Sequence, residues 1–472
     1  MKKTRSKRKR KTNKTNKTNK IQEKEMELLR NAIEEEEQKK SIVVKSPIIK
    51  TIFVILEKFL REKKLVCYGG TAINNILPKR EQFYDRTVEL PDYDFFTPNA
   101  INDAKELADL YYKNGFDEVE AKSGIHTGTY KVYVNFIPIA DITQMDFNLF
   151  EGVKKNAIIK NGIYYAPPNY LRMAAYLELS RPDGDISRWE KVWKRLSLLN
   201  KNFPIKAKKC DISDFVRKFD NDNYDSKFIY KIILNNVVKQ GLVFFGGYAL
   251  FNYSKFMSKY IQKKFIKSPD FDVLSNNPLE SANIIKNILI KNNIQNITIH
   301  QHDKIGEIIP EHYELRIDNK SVISVYKTIA CHSYNSIKIK DKKIKIASID
   351  TMLSLYLAFL YANRDYYDPN RILCISEFLF LLQMKHRLSK KGITKRFPTK
   401  CYGKQDTMES IRANKAFLYN ELKNKPCNTV YNKYFLRYIP LQGTKCNKKN
   451  KKKNKTIKKI IKKAKTIKKI KK

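Results

Sequence analysis

The sequence lacks the features that would assign it to a membrane-spanning, secreted or zinc-binding class. No apolar run reaches the ~18 residues that a membrane-spanning helix needs, and no apolar signal segment interrupts the charges of the first 20 residues. No cysteine pair is spaced as Cys-x-x-Cys, as zinc and dithiol motifs require. The cysteines are odd in number and scattered, which predicts reduced thiols in an intracellular compartment. The seven are Cys67, Cys210, Cys331, Cys374, Cys401, Cys427 and Cys446.

Acidic residues are absent from both ends of the chain, which explains much of its charge. Residues 1–20 contain 11 basic residues and residues 445–472 contain 16, within a formal net charge of +46. We predict disordered basic tails at residues 1–20 and 441–472. Once these 27 charges are set aside, the middle of the chain keeps +19. Such a surface predicts a polyanionic partner, and nucleic acid fits best because Lys and Arg release condensed counterions from phosphates.

Two segments of the chain recur in the same order, which predicts a duplicated α/β domain. The stretch "LVCYGGTAINNILPK" (65–79) returns as "LVFFGGYALFNYSKF" (242–256). The stretch "LPDYDFFT" (90–97) returns as "SPDFDVLS" (268–275). In both copies Gly-Gly ends an apolar run and precedes a helical pattern. We therefore predict two tandem domains with mixed sheets flanked by helices, the second copy being degenerate.

The predicted domains cover residues 21–202 and 203–440, and each contains an R-x3-D-x2-R element. The two elements are Arg181, Asp185, Arg188 and Arg364, Asp368, Arg371. Such a cluster has two interpretations. It is either an ion-pair network at a helix-loop-helix corner, or a site where Arg181 or Arg188 contacts a nucleotide or RNA.

Gly69 and Gly70 follow a short apolar strand pattern and open a helical one. Glycine lets the backbone approach an anion closely, and the amides at a helix N-terminus favour phosphate. Thr71 adds a hydroxyl group near the same place. These three residues are candidates for nucleotide binding, and the alternative is a turn that binds nothing.

Three aspartates occupy apolar strand patterns beyond this turn. Asp92 and Asp94 are two positions apart, so a strand presents both carboxylates on one face. Asp141 lies in the later strand pattern "IPIADIT" (137–143), where the alternative is a surface-facing position on an edge strand. Adjacent carboxylates repel each other near a core unless a divalent cation lies between them. Because phosphates are also predicted here, we expect Mg²⁺ and a two-metal site for in-line displacement.

This order of motifs resembles the nucleotidyltransferase superfamily related to DNA polymerase β. In that superfamily a hydrophobic residue and Gly-Gly or Gly-Ser precede Asp-x-Asp, and a further Asp follows on a later strand. An insertion, "PKREQFYDRTVE" (78–89), lengthens the first interval here. Over residues 40–440 the chain most resembles the poly(A) polymerase catalytic subunits of poxviruses and, more closely, of giant DNA viruses such as mimivirus.

The resemblance implies roles for single residues. The triphosphate-binding turn corresponds to Gly69 and Gly70, and the metal-binding pair corresponds to Asp92 and Asp94. Asp141 corresponds to the third carboxylate, which lies close to the primer 3′-OH in the family and assists its deprotonation. The implied reaction is template-independent transfer of AMP from ATP to RNA 3′ ends, with release of pyrophosphate and with Mg²⁺ or Mn²⁺ as cofactor.

The resemblance also implies partners and a location. The partners are the 3′ end of mRNA, ATP, and either a second copy in a homodimer or a separate processivity partner, and no membrane is involved. The location is that of a viral protein in the host cytoplasm (virus factory) and in the virion. The same carboxylates would also serve an oligoadenylate- or cyclic-dinucleotide-synthase-like enzyme, or a CCA-adding enzyme. A catalytically inactive RNA-binding scaffold is the alternative outside the enzyme class.

The second copy keeps the Gly-Gly turn at 246–247 and Asp-x-Asp at 270–272. Aligning the later strands places Tyr326 opposite Asp141, so no third carboxylate is expected there. Two acidic residues nearby are alternatives, Glu314 and Asp318. We predict that this copy does not catalyse and instead supports RNA binding or dimerisation.

Overall fold

The structure, a computed structural model, describes most of the chain and groups it into two units. The described residues are 2–85, 89–211, 215, 223–265, 269–339, 341–424 and 428–441. Unit 1 comprises Met1–Pro98 and Met145–Thr407, and unit 2 comprises Asn99–Gln144 and Met408–Lys472. Neither unit has a boundary at the predicted division between residues 202 and 203. The predicted C-terminal tail lies outside the described residues from position 442 onward.

Fifteen α-helices and sixteen strands are present in the described part of the chain. The helices are α1 (Lys2–Lys45), α2 (Pro47–Lys63), α3 (Gly69–Ile76), α4 (Ala100–Lys113), α5 (Phe147–Lys155), α6 (Pro168–Leu179), α7 (Trp189–Asn202), α8 (Ser226–Lys239), α9 (Gly247–Ser254), α10 (Lys259–Lys264), α11 (Pro278–Lys291), α12 (Ile349–Phe359), α13 (Pro369–Lys385), α14 (Met408–Leu422) and α15 (Thr429–Phe435). Among the described residues, no helix combines the length and the apolar character needed to cross a bilayer.

The strands are short and belong to sheets in both units. They are β1 (Val66–Tyr68), β2 (Tyr93–Thr97), β3 (Val119–Ser123), β4 (Thr129–Val134), β5 (Ile137–Gln144), β6 (Ile158–Lys160), β7 (Ile163–Tyr165), β8 (Val243–Phe244), β9 (Phe271–Ser275), β10 (Ile297–His302), β11 (His312–Ile317), β12 (Lys320–Lys327), β13 (His332–Ile339), β14 (Lys342–Ala347), β15 (Cys401–Tyr402) and β16 (Arg437–Tyr438).

Helix α1 ends at Lys45, directly before the capped start of α2. No glycine or proline occurs before Pro47, and the abundant Lys, Arg and Glu residues are good helix formers. Between residues 21 and 37 every side chain is exposed, so this part of α1 does not belong to a core.

Helix α2 shows how the local sequence sets the boundaries of a helix. Ser46 caps its N-terminus by accepting a hydrogen bond from the Ile49 amide at 3.3 Å, and Pro47 follows in the first turn. At the other end Lys64 adopts the left-handed conformation, with φ +51°. Leu56 and Leu60 are among the apolar residues of the face that α2 buries.

Unit 1 contains a four-stranded mixed segment that positions the Gly-Gly turn. Its strand order is β2-β1-β7-β6. β1 is antiparallel to β2 and parallel to β7, and β6 is antiparallel to β7. Val66 and Cys67 on β1 are fully buried, as expected for a central strand with apolar neighbours on both faces.

Unit 1 also contains a complete eight-stranded mixed sheet, which repeats this arrangement. Its strand order is β10-β11-β12-β9-β8-β14-β13-β15. Within it, the segment β9-β8-β14-β13 matches β2-β1-β7-β6 strand by strand, with the same parallel and antiparallel senses. Helix α9 follows β8 as α3 follows β1. The predicted α/β fold with mixed sheets flanked by helices is confirmed, and the repeated element order supports the predicted duplication.

Unit 2 contains an antiparallel sheet in the order β16-β3-β4-β5. The C-terminal strand β16 pairs Arg437 with Lys122 at the outer edge of β3. Tyr438 donates a hydrogen bond to Asp109 on α4 at 2.7 Å, which fixes this strand to the helix. The antiparallel order β3-β4-β5 has its counterpart in β10-β11-β12 of the second copy.

Two disulfide bonds correct the prediction of reduced thiols. The bonded pairs are Cys210–Cys374 and Cys331–Cys401. Their partners are 164 and 70 residues apart, so spacing along the chain carries no signal for either pair. Cys67 is buried and unbonded. The remaining two cysteines, Cys427 and Cys446, lie outside the described residues.

Candidate active site

The Gly-Gly turn and the Asp-x-Asp strand lie side by side in unit 1. The register between β1 and β2 pairs Tyr68 with Asp94. Gly69 follows Tyr68 with φ +73°, a left-handed conformation that glycine adopts without strain. A Cβ atom on Gly69 would lie only 2.5 Å from Oδ2 of Asp94. The carboxylate therefore packs directly on the glycine, and the two motifs meet at one place as predicted.

The two aspartates project from the same face of the chain. Tyr93, between them, is buried, and its hydroxyl donates a hydrogen bond to Glu57 at 2.7 Å. Phe95 is buried on the same side as Tyr93. Asp92 is exposed and Asp94 is half-buried. This alternation leaves both carboxylates opposite the core side, in the geometry expected for residues two apart on a strand.

Thr71 connects the turn to the approach of β2. Its hydroxyl donates a hydrogen bond to the backbone carbonyl of Asp92 at 2.5 Å, and its side chain is 3% exposed. A buried hydroxyl engaged in this way holds Asp92 next to the turn. Nucleotide binding by Thr71 stays a prediction.

Two side chains at the turn were missed by sequence reasoning, namely Tyr84 and Arg195. Tyr84 comes from the insertion between the motifs, and Arg195 comes from α7. Nη2 of Arg195 donates to the Tyr84 hydroxyl at 2.5 Å, and both groups lie where a Cβ atom on Gly70 would be. Nothing in the helical pattern around Arg195 distinguishes it from other basic residues. For Tyr84 the only signal was the position of the insertion.

Asp141 lies on β5 in unit 2 and forms an ion pair with the neighbouring strand. The register between β4 and β5 pairs it with Lys131. Nζ of Lys131 lies 2.7 Å from one carboxylate oxygen of Asp141 and 2.5 Å from the other. The carboxylate is 20% exposed. An acidic residue between the buried residues Ala140 and Ile142 is therefore balanced by a cation within its own unit.

The first R-x3-D-x2-R element mostly makes structural contacts. Asp185 accepts a hydrogen bond from the Ser187 amide at 3.2 Å and begins a short 3-10 turn. Arg188 pairs with Glu178 at 3.2 Å. Burial lowers the pKa of Arg181, an effect that nearby Glu178 opposes. These contacts support the ion-pair interpretation, and nucleotide binding by Arg181 stays a prediction.

The second element behaves in the same way. Asp368 caps α13 by accepting a hydrogen bond from the Arg371 amide at 2.6 Å. Arg364 donates to the hydroxyl of Tyr366 at 2.8 Å. In both copies the aspartate thus caps the turn that leads into the next helix.

The second copy reproduces the packing of carboxylates on glycines. A Cβ atom on Gly247 would lie 2.5 Å from Oδ1 of Asp270, and the carboxylate of Asp272 packs in the same way on Gly246. A cavity of about 280 Å³ adjoins these aspartates and is lined by both aromatic and charged side chains.

Strand β12, which pairs with β9 in the second copy, contains no carboxylate that could join Asp270 and Asp272. Asp272 pairs with Ser324 on β12, whereas Tyr326, which we aligned with Asp141, pairs with Leu274. The alternative Glu314 lies on β11, and hydrogen bonds from Arg316, Ser321 and His302 lower its pKa to about 2 although burial opposes the shift. The alternative Asp318 accepts hydrogen bonds from two asparagines in an exposed turn. This arrangement supports the prediction of a non-catalytic copy.

The oxygen donors beside the glycine turn suit a divalent metal ion. Asp92 and Asp94 present carboxylate oxygens, which suit Mg²⁺, on one face beside the turn. Within the described residues, one group of three potential ligands converges, and it consists of Asp183, Cys331 and Cys401. Both of these cysteines belong to a disulfide and offer no thiolate, so we assign no metal there.

Comparison with known proteins agrees with the motif pattern. Residues 54–185 match the family described as poly(A) polymerase catalytic subunit. A protein of African swine fever virus, provisionally named a poly(A) polymerase catalytic subunit, is 32% identical over 163 residues. That match covers 33% of this chain and 34% of the relative, so the chain aligns with about a third of the length of this relative.

A longer match covers nearly the whole chain. A protein of Acanthamoeba polyphaga mimivirus with the same provisional name is 23% identical over 476 residues, covering 91% of this chain and 79% of the relative. The crystal structure of the Megavirus polyadenylate synthase superposes with a TM-score of 0.70 at 20% identity, covering 88% of this chain and 84% of that one. These findings confirm the resemblance seen in the motifs. Residues 54–185 are therefore similar to the poly(A) polymerase catalytic subunit family, and the two longer matches extend the likeness over most of the chain.

Proposed function

We propose that this protein is a poly(A) polymerase. It adds AMP units from ATP to RNA 3′ ends without a template and releases pyrophosphate. The observation that carries the proposal is the packing of Asp94 on the left-handed Gly69 turn, with Asp92 on the same face. This places a glycine turn suited to phosphate beside carboxylates suited to divalent cations. Both motifs lie within the residues that match the family.

Each of the three carboxylates has a proposed part in the reaction. Asp92 and Asp94 bind divalent cations, Mg²⁺ or Mn²⁺, together with Asp141. The bound ions supply electrostatic stabilisation of the attacking and leaving oxygens. Asp141 orients the 3′-OH of the primer and accepts its proton, and Lys131 orients the carboxylate before substrate binds. The matched range of residues 54–185 contains all three aspartates, which supports this assignment.

RNA is the proposed polyanionic substrate. The chain carries a formal net charge of +46, and a basic surface gains affinity for RNA by counterion release. Primer affinity should therefore fall steeply as salt rises. The family name speaks of a catalytic subunit, which supports a further subunit or a second copy as a processivity partner. The viral origin of the relatives supports action in the cytoplasm of an infected cell.

Primer extension tests the proposal. The protein is incubated with radiolabelled ATP, Mg²⁺ and a short RNA primer, and products are resolved by length. We expect long extension by the wild type and none by the Asp92→Ala/Asp94→Ala double variant. No extension by the wild type, or full extension by the double variant, would refute the proposal.

A further inference from the structure

The insertion between the two motifs is anchored to the helices around the turn. The side-chain oxygen of Asn74, on α3, accepts hydrogen bonds from the amides of Phe83 and Tyr84 at 2.7 and 3.0 Å. Glu81 accepts hydrogen bonds from Lys201 at 2.8 Å and from the neighbouring asparagine of α7 at 2.7 Å. The insertion therefore connects α3, which carries the glycine turn, to α7, and it holds Tyr84 in a fixed position.

Arg195 lies within this anchored region and points at the turn. Its guanidinium group is 5.2 Å from the ring centre of Phe83 and 5.7 Å from that of Tyr84. Its Nη2 atom donates to the Tyr84 hydroxyl at 2.5 Å. A Cβ atom on Gly70 would lie 2.7 Å from the same Nη2 atom. Gly70 thus leaves the space that a guanidinium group needs to reach the start of α3.

The start of α3 is itself suited to an anion. The residue before the helix, Tyr68, makes no side-chain hydrogen bond to its amides. Amides at a helix N-terminus carry partial positive charge and bind phosphate oxygens. A guanidinium group next to them adds a full charge and a planar pair of donors. Two independent features, the helix start and Arg195, therefore point to the same ligand chemistry.

We propose that Arg195 binds the triphosphate of the incoming nucleotide, and that the Tyr84 hydroxyl occupies its Nη2 donor until the nucleotide arrives. This inference rests on the proposed nucleotidyl transfer and names the side chain that recognises its substrate. Phosphate oxygens carry more negative charge than a phenol oxygen, so they displace Tyr84 from the guanidinium group. Phe83 keeps the guanidinium plane in place during the exchange, because stacking does not depend on the hydroxyl.

The two side chains should affect binding in opposite directions. Removal of Arg195 costs a charge-assisted hydrogen bond, which corresponds to a roughly 10- to 100-fold loss of affinity. Removal of only the Tyr84 hydroxyl eliminates a competitor, so Tyr84→Phe should bind triphosphate about 3- to 10-fold more tightly. Arg195→Lys keeps the charge but loses the planar fork, and its affinity should fall between those of the wild type and Arg195→Ala.

Direct binding of inorganic triphosphate to the full chain, measured by calorimetry at fixed excess Mg²⁺, tests the proposal. The matched control is Lys194→Ala, which removes one positive charge from the adjacent, exposed position of α7, where Lys194 pairs with Glu190. We expect Arg195→Ala to bind at least tenfold more weakly than this control, and Tyr84→Phe to bind more tightly than the wild type. Unchanged binding by Arg195→Ala would overturn the role of Arg195. Weaker binding by Tyr84→Phe would overturn the competition, because it would make Tyr84 a support for the guanidinium group.

This measurement needs neither RNA nor nucleotidyl transfer, so its failure differs from a failure of the proposed function. Weak triphosphate binding by Arg195→Ala with no primer extension by the wild type would keep this inference and refute the polymerase. Primer extension with normal binding by Arg195→Ala would do the reverse. If Arg195→Ala does not fold, Arg195→Lys and Tyr84→Phe still decide, since both keep most of the packing at this position.

Discussion

Alanine substitutions at the two adjacent glycines should separate backbone strain from ligand binding. Gly69 has φ +73°, where a residue with a Cβ atom costs ~1–2 kcal/mol. Its Cβ atom would also lie 2.5 Å from Oδ2 of Asp94, which must move. Gly70 has no positive φ, and its Cβ atom would meet only the ends of two long side chains, Tyr84 and Arg195. We expect Gly69→Ala to lower the free energy of unfolding by ~1–2 kcal/mol, and Gly70→Ala to lower it by less, because its φ is not strained and the atoms it displaces end flexible side chains.

Chemical denaturation and primer extension, run on the same two preparations, check this expectation. Gly69→Ala should lose both stability and extension, because the substitution displaces a proposed metal ligand. Gly70→Ala should keep more of the stability and lose affinity for triphosphate, because it displaces Arg195. Equal loss of stability in the two variants would refute the reasoning, as would normal extension by Gly69→Ala.

Three further predictions concern stability and thiol chemistry. Arg396→Ala should lower the free energy of unfolding by ~3–5 kcal/mol, because it leaves the carboxylate of Asp350, which is 2% exposed, without its ion-pair partner. Arg387→Ala, at an exposed position, is the control. Equal stability of the two variants in chemical denaturation would contradict the role of this ion pair. Under native, non-reducing conditions Cys67 should resist alkylation because burial raises the pKa of its thiol. The four disulfide cysteines should resist it because they are bonded to each other. Rapid labelling of the disulfide positions, located by mass spectrometry, would contradict the two bonds. Burial lowers the pKa of His332 from 6.5 to about 3, so the unfolded state binds more protons than the folded state between these pH values. The free energy of unfolding should therefore fall as pH drops below 6.5, and it should fall less in His332→Phe. An identical pH profile of the variant and the wild type would contradict this role of His332.

Local sequence patterns predicted the parts of the site that depend on neighbouring residues. The glycine turn and the Asp-x-Asp strand were placed correctly together because a strand alternates its faces and because the two strands are antiparallel neighbours. The second copy strengthened this prediction, since Gly246 and Asp272 repeat the packing of Gly69 on Asp94. The repeated strand order also supports the predicted duplication.

Contacts between distant parts of the chain could not be predicted in the same way. Arg195 lies on an ordinary amphipathic helix, and only the folded chain brings it to Gly70. The bond between Cys331 and Cys401 joins β15 to the residue just before β13, and no short sequence pattern encodes the pairing of these two strands.

Primer extension with each of the four nucleotides in turn tests the central claim most directly. The wild type, the Asp92→Ala/Asp94→Ala variant and the matched Asp270→Ala/Asp272→Ala variant of the second copy are compared at equal concentration with Mg²⁺ and an RNA primer. We predict long products from ATP alone, for the wild type and for the variant of the second copy, and none for the variant of the first. Extension that survives loss of Asp92 and Asp94, or that stops only when Asp270 and Asp272 are replaced, would contradict the account.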